Sequence, residues 1–262
     1  MSKFNIRIHP DYKNNPLLQR FINNLPAIFT LQGSVLYDER NIIKSFVLDE
    51  SDNILQHIIV KRYKRPTVIQ RIVYSFFRSS KAKRAYLNAA EFIKRGIDTP
   101  SGIAYIEQYK NGLFEFGYYI SGSDFAPPIR EKLIEQEEFD LIMAKDFAAF
   151  AAELHEKGIL HHDLNSTNVL YHPHNGQYRF SVIDINRVKF FPKGSQLSKN
   201  NCFDNLTRFT GRMDLFEYVL KQYVEIRNWN PTTLSEAIEI KKNHDKQWRR
   251  RKAFFKKLSG KK

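Results

Sequence analysis

The chain has 262 residues, enough for one large domain or two small lobes around a real core, and its 42% hydrophobic and 14% aromatic content excludes a largely disordered chain. The lone cysteine, Cys202, excludes an internal disulfide, no run approaches the roughly 18 apolar residues of a spanning helix, and the first residues lack a signal peptide's apolar core, so a cytoplasmic location is expected. The net charge of +14 sits in two blocks: nine Lys/Arg and no acid over residues 61–84, and eleven Lys/Arg against Asp245 over residues 241–262. Such blocks attract polyanions, and charge alone does not choose among nucleic acid, an anionic membrane face and a phosphorylated substrate.

In chain order, the first readable elements lie over residues 33–63 as strand, turn, strand, turn, strand. The first turn, Asp38-Glu39-Arg40-Asn41, contains no glycine. Its backbone amides or the Arg40 guanidinium can meet a phosphate, or the residues can simply turn the chain. The third strand ends in Ile58-Ile59-Val60 followed by Lys61, the position of a phosphate-pairing lysine in kinases. A helix is predicted from Ser80, with Ala82, Ala85, Ala89 and Phe92 on one side and Gly96 as its cap. Glu91 is the single acid of residues 54–96, so it is the one candidate on that helix for a pair with Lys61. The alternative is a surface pair with Lys94 or Arg95 one turn on. Strands near 102–108 and 113–120 complete a small antiparallel sheet with one main helix.

After Pro127-Pro128 the pattern turns helical. Residues 138–157 place Leu141, Ile142, Ala144, Phe147, Ala148, Ala151 and Leu154 at three- and four-residue spacing, and Gly158 ends the run. The sheet-then-helix order predicts an α+β fold with two lobes. The expected boundaries are 1–120 for the sheet lobe, 121–240 for the helical lobe and 241–262 for a basic tail.

The chemistry concentrates in HHDLNSTNVLYHPHNGQYRFSVIDINR, residues 161–187. Asn175-Gly176 signals a two-residue hairpin. It lies midway between Asn168 and Asp184, so closing the hairpin brings an amide and a carboxylate towards one hard cation. Asp163, five residues before Asn168, is placed to orient a substrate hydroxyl and accept its proton. Phosphoryl transfer needs this set, since that reaction depends on positioning and charge neutralisation. The spacing of Asp163 and Asn168 matches the kinase catalytic loop. His161, His162, His172 and His174 do not have the spacing of a structural zinc site, and His161 is expected to brace the loop.

On VKRYKRP (60–66), SKAKRAYLNAAEFIKRGIDTP (80–100), HHDLNSTNVL (161–170) and VIDINR (182–187), the chain resembles the lipopolysaccharide core kinases, the Kdo/heptose kinase (Kdo/WaaP) family of the protein-kinase-like superfamily. The resemblance implies a bilobal protein-kinase-like fold and the use of ATP and Mg²⁺. It assigns Asp163 as catalytic base, Asn168 and Asp184 as magnesium ligands, Lys61 as the α/β-phosphate contact and Glu91 as its partner. Three departures stand out: Asp184-Ile185-Asn186 replaces Asp-Phe-Gly, His162 replaces the arginine of His-Arg-Asp, and Asn165 stands where protein kinases carry lysine. The implied reaction is phosphorylation of a sugar hydroxyl, on Kdo or heptose, of the lipopolysaccharide inner core. The implied partner surface is the acidic inner face of the cytoplasmic membrane, met by Arg249, Arg250, Arg251, Lys252, Lys256 and Lys257 beside Trp248, Phe255 and Leu258, which leaves nucleic acid the disfavoured partner. Tyr74, Phe76 and Phe77 are read as packing. The competing readings are a small-molecule or RIO-type kinase whose basic blocks face RNA, and a non-catalytic pseudokinase scaffold.

Overall fold

A glycine under a helix lets the helix approach a sheet closely, and two such contacts organise the amino-terminal half of the chain. In a computed structural model, which describes residues 2–52 and 55–258 (side chains through residue 254), the chain divides into two units. The first comprises Met1–Phe125 with Asp184–Asn186, and the second Ala126–Ile183 with Arg187–Lys262.

The first unit begins with β1 (Ser2–Ile8), α1 (Pro16–Ile28), β2 (Ser34–Asp38), β3 (Ile42–Phe46) and β4 (Ile58–Arg62). It continues with α2 (Val68–Phe76), α3 (Lys81–Lys94), β5 (Gly102–Lys110) and β6 (Leu113–Gly122). The six strands form one antiparallel sheet in the order β1-β5-β6-β4-β3-β2. Helix α1 starts at Asn15, whose side chain accepts from Leu18 N, with Pro16 at the first helical position. Its Leu18, Ile22, Leu25 and the following Phe29 are fully buried with Ile58, Val60, Ile106 and Ile120 of the sheet, and each such side chain contributes about 1.5–3 kcal/mol by leaving water. Helix α3 buries Ala82, Ala85, Ala89 and Phe92. A Cβ added at Gly117 would stand 3.1 Å from the Ala82 Cβ, and one at Gly102 would stand 3.3 Å from that of Ala89. Alanine facing glycine is therefore what sets the close seat of α3 on β5 and β6.

Beyond the sheet and main helix expected from the sequence, this unit holds helices α1 and α2 and strand β1. Helix α1 has a one-sided pattern, Leu18, Phe21, Ile22 and Leu25, that went unread; β1 and α2 were hidden, because β1 is an edge strand with only alternate partial burial and α2 buries no residue. Neither presents the one-sided apolar pattern against a core on which such predictions rest.

The second unit runs through α4 (Arg130–Leu133), α5 (Leu141–Glu156), β7 (Ile159–His161), β8 (Val169–His174), β9 (Gln177–Val182), β10 (Val188–Phe190), α6 (Lys199–Leu206), α7 (Met213–Ile226) and α8 (Thr233–Leu258). Helix α5 is capped by the Asp140 side chain, which accepts from Met143 N at 2.9 Å, and the chain leaves it at Gly158 with φ 70°. Phe147 of α5 stacks on Phe209 with ring centroids 4.3 Å apart, and Phe150 meets Phe180 of β9 at 5.4 Å. β8 and β9 pair from Val169↔Val182 to His174↔Gln177, joined by Asn175 and Gly176 with φ of 49° and 77°. Positive φ at both central residues is the two-residue turn that matches strand twist. Helix α8 enters the basic carboxy-terminal segment without a break at residue 241 and is described as far as Leu258. Lys241 is buried, donating to Thr207 O at 2.9 Å and to Asp245 Oδ1 at 2.8 Å. Among the described residues no helix is long and apolar enough to cross a membrane.

Candidate active site

In the first unit, β4 delivers Lys61 to the segment 184–186. Lys61 Nζ donates to Asp184 Oδ1 at 2.8 Å, and Asn186 Nδ2 donates to the same oxygen at 2.5 Å. Lys61 is 14% exposed and Asp184 33%, so this charge pair is only partly screened by water. Helix α3 holds the backbone of the segment from the other side: Asn88 Nδ2 donates to Ile185 O at 2.6 Å and Arg84 Nε to Asn186 O at 3.2 Å. Asp184 itself has φ 53°, a left-handed conformation uncommon outside glycine but open to aspartate and asparagine, and such backbone gathers at functional sites. Tyr63, one residue past β4, lies under Lys61, whose Nζ is 5.5 Å from the ring centroid. Burial first, and the Asp184 charge second, push its phenol well above the usual range, so it stays neutral.

Arg40 lies between β2 and β3 and lines a cavity of about 270 Å³ together with Tyr63, Lys64, Arg65, Gln70 and Lys81. Burial, together with the charges of Arg40 and Arg84, lowers the Lys81 ammonium pKa. Cations crowded this way favour an anion among them.

The expected pair of Lys61 with Glu91 is corrected. The Glu91 carboxylate is taken by Arg95 one turn on, at 2.6 Å, with the Arg95 side chain only 7% exposed. Residues 84, 88, 91 and 95 form one stripe of α3, and it is Arg84 and Asn88 of that stripe that bond the 184–186 segment. Lys61 takes the Asp184 carboxylate instead.

In the second unit, β7 and β8 bracket the loop 162–168. His161 is fully buried at its root. Asp163 N donates to His161 Nδ1 at 3.2 Å, which leaves the ring proton on Nε2, 3.2 Å from Ile183 O. The imidazole thus ties the loop to the end of β9, as the sequence led us to expect. Asn168 Nδ2 donates to Asp163 O at 2.9 Å, so its side-chain oxygen is the atom left for a cation. Asn168 O accepts from Ile183 N at 2.9 Å, one residue before Asp184. Asp163 Oδ1 accepts from Arg187 Nη1 at 3.0 Å. Asn165 Oδ1 caps the turn, accepting from Thr167 N at 3.0 Å and Thr167 Oγ1 at 2.6 Å. His172 contacts Ser181 Oγ at 3.3 Å and His174 contacts Arg179 at 2.9 Å, both along the hairpin.

A buried relay supports the loop from behind. Asn205 of α6 donates to His161 O at 2.9 Å, so its amide oxygen faces His155 Nε2 at 3.0 Å. His155 Nδ1 meets Tyr223 OH at 2.8 Å. Burial pushes the His155 pKa down to about 4. The unfolded chain takes up this proton below about pH 6.5, so the contribution of His155 is complete above that pH and lost as pH falls towards 4. Stability should drop by about 3 kcal/mol across that window from this group. Urea midpoints measured from pH 7 to pH 5 check it: His155→Gln should start lower and lose less.

Asn88, Arg84, Asn186, Arg187 and Asn205 were not singled out as site residues from the sequence. Asn186 and Arg187 stand inside the VIDINR motif and were legible there, whereas Asn88 and Asn205 carry no local signal.

The sequence matches the profile of the lipopolysaccharide kinase (Kdo/WaaP) family over residues 28–216, well over half of the chain. No curated protein sequence matches it. Among solved structures, WaaP in complex with acyl carrier protein aligns over 95% of this chain and 98% of that chain, with 15% identity and a TM-score of 0.57. The Rio2 kinase–ADP/Mg²⁺-phosphoaspartate complex from Chaetomium thermophilum aligns over 92% of this chain and 81% of that chain, with 11% identity and a TM-score of 0.46. The α+β architecture is therefore protein-kinase-like, and the chain belongs to the lipopolysaccharide kinase (Kdo/WaaP) family of ATP-dependent kinases.

Proposed function

We propose that this kinase transfers the γ-phosphate of ATP to a hydroxyl of Kdo or heptose in the lipopolysaccharide inner core, at the cytoplasmic membrane face. The observation that carries the reading is the fixed amide of Asn168: with its nitrogen on Asp163 O, it offers oxygen, and its carbonyl holds the residue before Asp184. An amide oxygen and a carboxylate are a fitting donor pair for Mg²⁺, which retains waters and substrate phosphate as its other ligands. When bound there, the ion supplies positive charge against the phosphate oxygens. Asp163 orients the sugar hydroxyl and takes its proton as that oxygen bonds to phosphorus and the bond to the ADP oxygen breaks. Lys61 holds the α/β-phosphates, with Arg40 as a second phosphate contact. Glu91 acts on this site only through its α3 stripe. Arg187, bonded to Asp163, supplies a cation that the Asn165 position lacks.

The acceptor accounts for the exposed cations Arg249, Arg250, Arg251 and Lys252 of α8, which would meet acidic lipid. The side chains of Phe255, Lys256, Lys257 and Leu258 lie outside the described residues. Incubation with γ-labelled ATP and a panel of inner-core acceptors ending in Kdo or heptose should label the glycolipid. Absence of label across the panel, with ATP still bound, removes the acceptor assignment and leaves the family.

A further inference from the structure

Helix α2 buries no residue against its own sheet and leaves most of its apolar side chains in solvent. Arg71, Tyr74 and Ser75 face β6: Arg71 Nε donates to Phe114 O at 2.8 Å, Ser75 Oγ accepts from Phe114 N at 2.8 Å, and the Tyr74 and Phe114 ring centroids are 5.5 Å apart. Val68, Ile69, Ile72 and Phe76 share the arc beside that face at helical spacing and are 64%, 76%, 42% and 69% exposed, with Phe77 at 82%. Phe76 and Phe77 are thus not core packing, which corrects the sequence expectation for them. Contiguous apolar surface of this kind marks an interaction site. The helix is preformed, with Thr67 and Gln70 closing a capping box, so docking requires little ordering.

We propose that this apolar arc of α2 seats in the headgroup–acyl boundary of an anionic lipid bilayer. Charge complementarity selects that occupant: Lys64 and Arg65 before α2 and Arg78 after it stand exposed, Arg65 also pairing with Glu115 at 2.9 Å, and no acid lies between residues 61 and 84. An apolar face rimmed by cations is the pattern of helices that lie in the bilayer surface. This inference deepens the glycolipid reading and rests on it only for its biological purpose; the docking itself is independent of which sugar is phosphorylated.

The test uses the full chain and vesicles of phosphatidylcholine with or without phosphatidylglycerol. The protein should cosediment with the anionic vesicles and leave them as salt is raised. Ile72→Ser/Phe76→Ser/Phe77→Ser should weaken that partition by about tenfold or more. Because the three side chains are exposed, the melting temperature and the phosphorylation of a water-soluble, lipid-free acceptor should stay at the parent level. Arg249→Glu/Arg250→Glu/Arg251→Glu separates the contribution of α8. Unchanged partition in the α2 variant overturns the proposal, as does equal binding to neutral vesicles. Binding of an acidic protein such as acyl carrier protein through the arc, with no vesicle binding, also overturns it. Loss of partition with retained transfer to the soluble acceptor supports it, whereas failed transfer by the parent chain bears on the acceptor assignment alone.

Discussion

Asp163→Asn should lower kcat by about 10²–10⁴-fold, the range by which a positioned general base accelerates proton transfer. The amide retains an oxygen for Arg187, and the loop is held through the Asp163 backbone, which donates to His161 and accepts from Asn168. What is removed is the carboxylate's ability to take a proton. The lost charge pair with Arg187, whose side chain is 62% exposed, is worth at most about 1 kcal/mol. Activity should therefore collapse while the melting temperature hardly moves. Steady-state rates beside thermal melts check both halves, and parent-like turnover would mean that the hydroxyl is deprotonated elsewhere.

Asp184→Asn should lower kcat by a similar factor, about 10²–10⁴-fold, for a different reason, and should raise the Mg²⁺ concentration at half-maximal rate. Asparagine is the informative replacement because it tolerates the left-handed conformation seen at φ 53°. The backbone bonds from Asn88 and Arg84 to residues 185 and 186 then survive, and the loss reports charge. Lys61 is left without a carboxylate to answer its ammonium. Titration of Mg²⁺ at fixed ATP distinguishes this variant from Asp163→Asn, whose Mg²⁺ dependence should be that of the parent. A normal magnesium response in Asp184→Asn would remove this residue from the metal site.

Much of this chemistry was readable in the sequence because it is local. Asn175-Gly176 fixes a turn by its own backbone preference, and the turn fixes the pairing of Val169 with Val182. Asp163 and Asn168 share one short loop, so their spacing already carried their association. The Lys61–Asp184 pair spans 123 positions, and nothing along the chain announces it. Glu91 shows the converse: its place on α3 was right, but Arg95 competes for the carboxylate at a separation of one helical turn, where proximity always favours the local partner. Helix α2 escaped notice since its apolar side meets no core, leaving periodicity without the context that gives it meaning. The relay from His155 through Asn205 is tertiary throughout, joining α5, α6 and β7.

The seat of Lys241 bears on how the carboxy-terminal cations can be studied. An ammonium sealed from solvent is tolerable only with its carboxylate at hand, and here that carboxylate belongs to the next turn of the same rod. A stop codon placed anywhere between 242 and 245 would strand an orphan charge inside the protein and confuse misfolding with lost affinity. Shortened versions should keep Asp245 and end beyond it, so that whatever disappears with the arginines is theirs alone.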